Sequence, residues 1–156
     1  MRGAGHAVCL GPDIDTDVII AGRYLRTRDH SVWVSHVFED LDAALAGQLN
    51  GAVIVAGKNF GCGSSREQAA IALREAGVSA VIAPSFARIF FRNAINVGLP
   101  VIECSLSCIE GETVRFDLAD GWVAAGGSQY PVRPLSPRMR EILTAGGLVN
   151  YWRGGR

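Results

Sequence analysis

One segment, Gly57-Lys58-Asn59-Phe60-Gly61-Cys62-Gly63-Ser64-Ser65-Arg66-Glu67-Gln68, gathers the residue types best suited to chemistry: glycines, a thiol, two adjacent hydroxyls and a guanidinium. The apolar run Gly51-Ala52-Val53-Ile54-Val55-Ala56 before it predicts a buried strand. Ala69, Ala70, Leu73 and Ala76 after it fall at helical spacing and stop at Gly77. Ser64-x-x-Glu67 and Ser65-x-x-Gln68 read as overlapping capping boxes. The loop thus delivers its hydroxyls to a helix N-terminus, where unpaired N–H groups and the helix dipole favour an anion. Plain helix capping is the alternative use of the same serines. Lys58 precedes the glycines, so this is not a Walker A loop, and the dinucleotide fingerprint lacks its third glycine.

Other candidate groups are fewer. Asp13-Ile14-Asp15-Thr16-Asp17 alternates three carboxylates with other residues, but no Gly at the sixth place and no Glu at the twelfth complete a calcium loop. The four cysteines are Cys9, Cys62, Cys104 and Cys108. Only Cys104 and Cys108 are close, without the clustered ligands of a zinc or iron–sulfur site, so buried free thiols are expected and no metal is assigned to this chain. Cys62 near a helix N-terminus is expected to have a lowered pKa, yet no base adjoins it in the loop.

The elements that carry these groups alternate. Ala7-Val8-Cys9-Leu10 starts a short strand, and the segment 37–45 suggests a short amphipathic helix. Val78-Ser79-Ala80-Val81-Ile82-Ala83 is a second buried strand. Ser85 then caps a helix striped by Phe86, Ile89, Phe90, Ala94 and Val97, ended by Gly98. Val101-Ile102-Glu103-Cys104 follows as a further strand, and the strand–helix alternation predicts βαβ units with a parallel or mixed core sheet. From Glu112 the text turns to hairpins, with turns at Asp120-Gly121 and Gly126-Gly127, before a helix from Ser136-Pro137 through Leu143. With 156 residues and 49% hydrophobic content, residues 1–156 are read as one domain. Fifteen basic and 15 acidic residues balance, which argues against nucleic acid or an anionic membrane as partner. No signal-peptide h-region or membrane-length apolar run is present, so a cytoplasmic location is expected.

The glycine–serine segment through Ala69 resembles the signature loop of the swivelling domain of the aconitase superfamily. Asp13-Ile14-Asp15-Thr16-Asp17-Val18-Ile19 and the segment from Ser85 to Pro100 are similar to two further motifs of that family, in the same order and over about two-thirds of the chain. The length resembles that of the small subunit of the split enzymes, 3-isopropylmalate dehydratase and homoaconitase.

The resemblance implies an α/β swivel fold with β/β/α layers. It implies a separate large subunit that carries a [4Fe-4S] cluster and joins this chain in a heterodimer or heterotetramer. The implied activity is a hydro-lyase that moves a hydroxyl between adjacent carbons of a small hydroxy acid by dehydration and rehydration, with this chain inactive alone. On that footing Ser64 is the catalytic base and Asp17 an active-site acid that orients neighbours or exchanges a proton. Ser65 and Arg66 hold substrate carboxylate, Gly61 and Gly63 shape the loop, and Arg88 braces it from behind. Many family members have His where this chain has Gln68.

Tyr24-Leu25-Arg26-Thr27 lies where the family places a loop against the variable end of the substrate. Arg26 suits an additional carboxylate, as in homoaconitate; turned outward, it would leave Leu25 or Tyr24 facing an isopropyl group. The first reading is 3-isopropylmalate dehydratase of leucine biosynthesis, with homoaconitase or a methylmalate/citraconate hydratase as alternatives. A non-catalytic dicarboxylate-binding module is the alternative of another class.

Overall fold

The β-branched runs form the centre of one seven-stranded sheet in the computed structural model, which describes residues 1–154. Its strands are β1 (Arg2–Cys9), β2 (Ala52–Val55), β3 (Ala80–Ala83), β4 (Val101–Glu103), β5 (Thr113–Asp117), β6 (Trp122–Ala125) and β7 (Ser128–Pro131), in the order β4-β3-β2-β1-β5-β6-β7. The β1-to-β4 half is parallel and the β5-to-β7 half antiparallel, so of the parallel and mixed sheets expected the chain forms the mixed one. Every residue of β2 and β3 is buried, which explains their unbroken apolar text.

Short helices α1 (Thr16–Ile19) and α2 (His30–Ser35) follow β1. Helix α3 (Glu67–Glu75) connects β2 to β3, and α4 (Arg88–Val97) connects β3 to β4. The two crossovers pack on each other, and α5 (Pro137–Thr144) and α6 (Leu148–Gly154) pack against α4. Parallel β1, β2 and β3 therefore each end in a loop at the same edge of the sheet, where open α/β sheets bind ligands.

Three expectations change in detail. Strand β1 begins at Arg2 rather than near Ala7. Gly3 and Gly5 weaken the strand pattern, but a Cβ on Gly3 would lie 2.4 Å from the Phe116 ring and one on Gly5 2.1 Å from the Gly51 carbonyl oxygen. The helix expected within 37–45 lies earlier, as α2, because Asp29 caps it through the Ser31 N–H. Residues 36–44 form turns instead, with Phe38 at φ 61°. Helix α6 has no counterpart in the sequence reading, since the glycines before it read as an end. No helix among the described residues is long and apolar enough to cross a membrane.

Candidate active site

The loop after β1 is held by its own carboxylates. Asp13 donates its N–H to the Lys58 carbonyl at 2.8 Å, and its side chain accepts from Asn59 Nδ2 at 3.0 Å. Both residues have positive φ, 56° and 60°, a conformation that Asp and Asn tolerate better than most. Asp15 caps α1, accepting from the Asp17 N–H at 2.7 Å. Two of the three acids in the first motif are therefore committed to joining this loop to its neighbour and to the helix start.

The loop after β2 lies against it. Gly61 N–H donates to the Ile14 carbonyl at 2.7 Å, and Thr16 N–H to the Cys62 carbonyl at 2.8 Å. The two expected glycines are placed where side chains do not fit. A Cβ on Gly61 (φ 82°) would stand 2.2 Å from the Phe90 ring, and one on Gly63 (φ 92°) 2.4 Å from the Asp15 carboxylate. The Thr16 hydroxyl donates to the Ser64 carbonyl at 3.0 Å, and Arg66 N–H donates to the same oxygen at 2.9 Å.

Neither serine caps α3. Its N-cap is Arg66, without a side-chain cap, so the two capping boxes are not formed: the chain keeps an extra extended residue between serines and helix. Among the described residues, the exposed hydroxyls of Ser64 and Ser65 have no hydrogen-bond partner. Their freedom leaves them available to a ligand.

Arg66 turns back to Asp17, Nη1 to Oδ1 at 2.5 Å, and the same carboxylate oxygen accepts from Gly22 N–H at 3.1 Å. The Arg66 guanidinium and the Gly22 amide hold the Asp17 carboxyl below the usual carboxylate range, so it is ionised near neutrality. The Asp17 side chain remains 59% exposed and that of Arg66 28%, so this is a reachable pair and not a buried brace.

The loop after β3 supports this surface from the other side. Phe60, fully buried, forms a parallel bridge with Phe86, donating to the Ser85 carbonyl and accepting from Ala87 N–H. The Phe60 and Phe90 rings meet edge to face, 5.2 Å apart, beneath Gly61. Ser85 does not cap α4, whose N-cap is Ala87; its Oγ accepts the Asn59 N–H at 2.9 Å. Arg88 is exposed on the first turn of α4 and makes no hydrogen bond or ion pair among the described residues.

Gly22 begins the one-turn 3₁₀ helix Gly22–Tyr24. There Arg23 is paired with Glu39 and Asp40, while Tyr24 donates to Glu39 and stacks on His36. Arg26, just beyond, is exposed and engages no partner among the described residues. The structure thus brings Asp17, Gly61, Gly63, Ser64, Ser65 and Arg66 together, with Arg26 extending from the adjoining turn. Thr16, which the sequence reading did not single out, sits between the two loops; its one outward sign was a β-branched hydroxyl between two acids.

The cysteines do not converge. Cys9 and Cys108 approach with sulfurs 3.7 Å apart, and burial pushes the Cys108 thiol up to about 12. Cys62 lies in the loop, but its pKa is raised, by burial first and then by Asp15 and Asp13, against the expected lowering. The helix start it was to benefit from lies four residues on, and the acids are nearer in effect. A neutral thiol is a poor nucleophile, so Cys62→Ala is expected to leave any activity of this loop within about twofold; an inactive, folded variant would reverse that reading. No group of three or more His, Cys, Asp or Glu among the described residues could hold a metal ion.

Residues 17–105 match the Aconitase C-terminal domain family. The methanogen homoaconitase small subunit of Methanothermobacter thermautotrophicus is 52% identical over 151 residues, covering 95% of this chain and 89% of its own. The 3-isopropylmalate dehydratase small subunit of Moorella thermoacetica is 49% identical over 153 residues, covering 94% and 92%. A crystal structure of 3-isopropylmalate dehydratase from Methanocaldococcus jannaschii superposes with a TM-score of 0.92 at 46% identity, covering 98% of this chain and 94% of that one. With the family match over residues 17–105 and these relatives aligned over more than nine-tenths of its length, the chain belongs to the Aconitase C-terminal domain family, among the small subunits of its hydro-lyases.

Proposed function

We propose that this single-domain chain is the cytoplasmic small subunit of a 3-isopropylmalate dehydratase, active with a large subunit that carries a [4Fe-4S] cluster. The observation that carries the reading is the meeting of two unpartnered serine hydroxyls with the Arg66–Asp17 pair, in the loop where the family keeps its chemistry. Four free thiols suit a reducing compartment. When bound, that cluster supplies a Lewis acid for the substrate hydroxyl.

The residues of this chain do the rest. Ser64 removes the proton from the carbon α to a substrate carboxylate. Serine is far too weak an acid to do so unaided, so its alkoxide needs donors aimed at it and little water around it. Arg66, with its planar fork, grips a carboxylate and shares its charge with Asp17. Asp17, ionised, orients Arg66 and ties it to the Gly22 turn; it is poorly suited to giving up a proton. Ser65 adds a hydroxyl donor to the same carboxylate, whereas Arg88, exposed and without a bond to the loop among the described residues, is not the brace expected of it.

Homoaconitase is the second reading, favoured by the unpartnered Arg26. A third carboxylate would pair with that cation, whereas an isopropyl group would leave it unpaired and better turned to water. Arg26→Val is expected to shift kcat/KM away from a tricarboxylate toward 3-isopropylmalate by at least about tenfold; an unchanged ratio means that Arg26 does not read the substrate. The function itself is tested by anaerobic turnover of the chain reconstituted with a cluster-loaded large subunit, comparing isopropylmalate with homoaconitate. Turnover of either acid upholds a hydro-lyase and the preferred acid selects between the readings. A formed, cluster-loaded complex without turnover on any hydroxy acid would favour a dicarboxylate-binding module.

A further inference from the structure

Among the described residues only two polar or charged side chains are buried, Asp117 and Thr16. Asp117 is accounted for by the turn it builds, accepting the N–H groups of Ala119 and Asp120 and the Arg2 guanidinium. Thr16, only 1% exposed, makes one side-chain bond, and it crosses 48 residues of sequence to the backbone of the proposed base: Oγ1 to the Ser64 carbonyl at 3.0 Å.

A hydroxyl buried that completely and aimed at a carbonyl controls where the peptide points. No peptide bond in the described chain is cis. In a trans peptide the C=O and the following N–H lie on opposite sides. Holding the Ser64 carbonyl inward, against Thr16 and the Arg66 N–H, therefore turns the Ser65 N–H away from the protein interior. That N–H has no acceptor among the described residues. It is the kind of fixed backbone donor that stabilises an anion at no reorganisation cost.

We infer that Thr16 is a positioning residue for the dehydration: its hydroxyl orients the Ser64–Ser65 peptide so that the Ser65 N–H faces the negative charge shared by the Ser64 alkoxide and the substrate beside it. The inference rests on the proposed roles of Ser64 and Arg66. Thr16 itself touches no substrate and acts through the peptide it holds.

Thr16→Val keeps the shape and removes the donor; Thr16→Ser keeps the donor. Both are measured in the complex reconstituted with the cluster-loaded large subunit, alongside Ser64→Ala. Loss of one aimed donor costs about 10²–10³ in kcat where the donor itself is deleted, so disordering it is expected to lower kcat of Thr16→Val about 10- to 100-fold, with KM changed less than threefold. The rising limb of kcat against pH should move to higher pH, because the Ser64 alkoxide has lost support; a merely structural defect would reduce the amount of active complex and leave that limb in place. Thr16→Ser should restore kcat to within about threefold.

A Thr16→Val enzyme with kcat within twofold and an unmoved limb overturns the inference, and so does a Thr16→Ser variant as poor as Thr16→Val. Should Thr16→Val fail to assemble, Thr16→Cys, whose thiol donates weakly, is read by the same criteria. If Ser64→Ala retains activity, the proposed base falls and this inference falls with it. If Ser64→Ala is inactive while Thr16→Val is fully active with an unmoved limb, only the role of Thr16 is refuted.

Discussion

Replacing Ser64 with alanine is expected to reduce kcat of the assembled enzyme by about 10²–10⁴-fold, the contribution of a placed base, since the neighbouring Ser65 hydroxyl is committed to the substrate carboxylate on the proposed reading. Cys62 is neutral and held on the other side of Gly63, and Asp15 is occupied as the cap of α1. Stability should hardly change. The Ser64 hydroxyl is exposed and bonds to nothing among the described residues, so its removal leaves no orphaned partner, and exposed substitutions of that kind usually fall within about 0.5 kcal/mol. The melting temperature and the association with the large subunit should therefore match the parent, and substrate should still protect the complex. This separates a lost base from a lost fold. Substantial turnover by Ser64→Ala would remove Ser64 as the base; a large drop in melting temperature would mean that its hydroxyl has a structural partner.

Arg66→Lys should be nearly as damaging, but in binding. Hydrogen bonds to charged groups contribute about 1.5–3 kcal/mol each, so trading a bidentate fork for a single ammonium contact costs roughly one such bond, or about 10- to 150-fold in kcat/KM. A dicarboxylate inhibitor should weaken in parallel, measured by titration calorimetry on the complex. Arg66→Gln, which also loses the charge, should weaken further. Asp17 provides a second readout. Its pKa is depressed chiefly by Arg66, so in the parent it stays ionised as pH falls through the ordinary carboxylate range and protonates only below it. Without the guanidinium its pKa returns upward, and acid loss of activity should set in at a higher pH in Arg66→Gln than in the parent. Unchanged affinity in Arg66→Lys would show that the fork grips no carboxylate, and an unmoved acid limb would show that Asp17 is not coupled to Arg66 during turnover.

The order of elements and the candidate loop were legible in the residue text because both are local. An unbroken apolar run such as Val53-Ile54-Val55 suits a strand covered on both faces, and the glycines at 61 and 63 mark backbone that no side chain could follow. Hydroxyls and a guanidinium beside such glycines point to an anion. By itself the sequence therefore determined the strand–loop–helix units, the mixed core and the membership implied by three motifs.

What it left open is decided by contacts across long separations. Ser64 and Ser65 read as helix caps, because S-x-x-E is a local pattern; tertiary bonds from Thr16 pull the Ser64 carbonyl inward and make Arg66 the N-cap instead. Cys62 read as activated by a helix start, but burial and the acids of a loop more than 40 residues away raise its pKa. Ser85 read as a cap for α4, yet its hydroxyl is taken by Asn59. In each case a short polar side chain had a local partner of adequate geometry and a distant one that burial made stronger. Which one wins depends on how the ends of β1, β2 and β3 are brought side by side, and only the folded sheet fixes that.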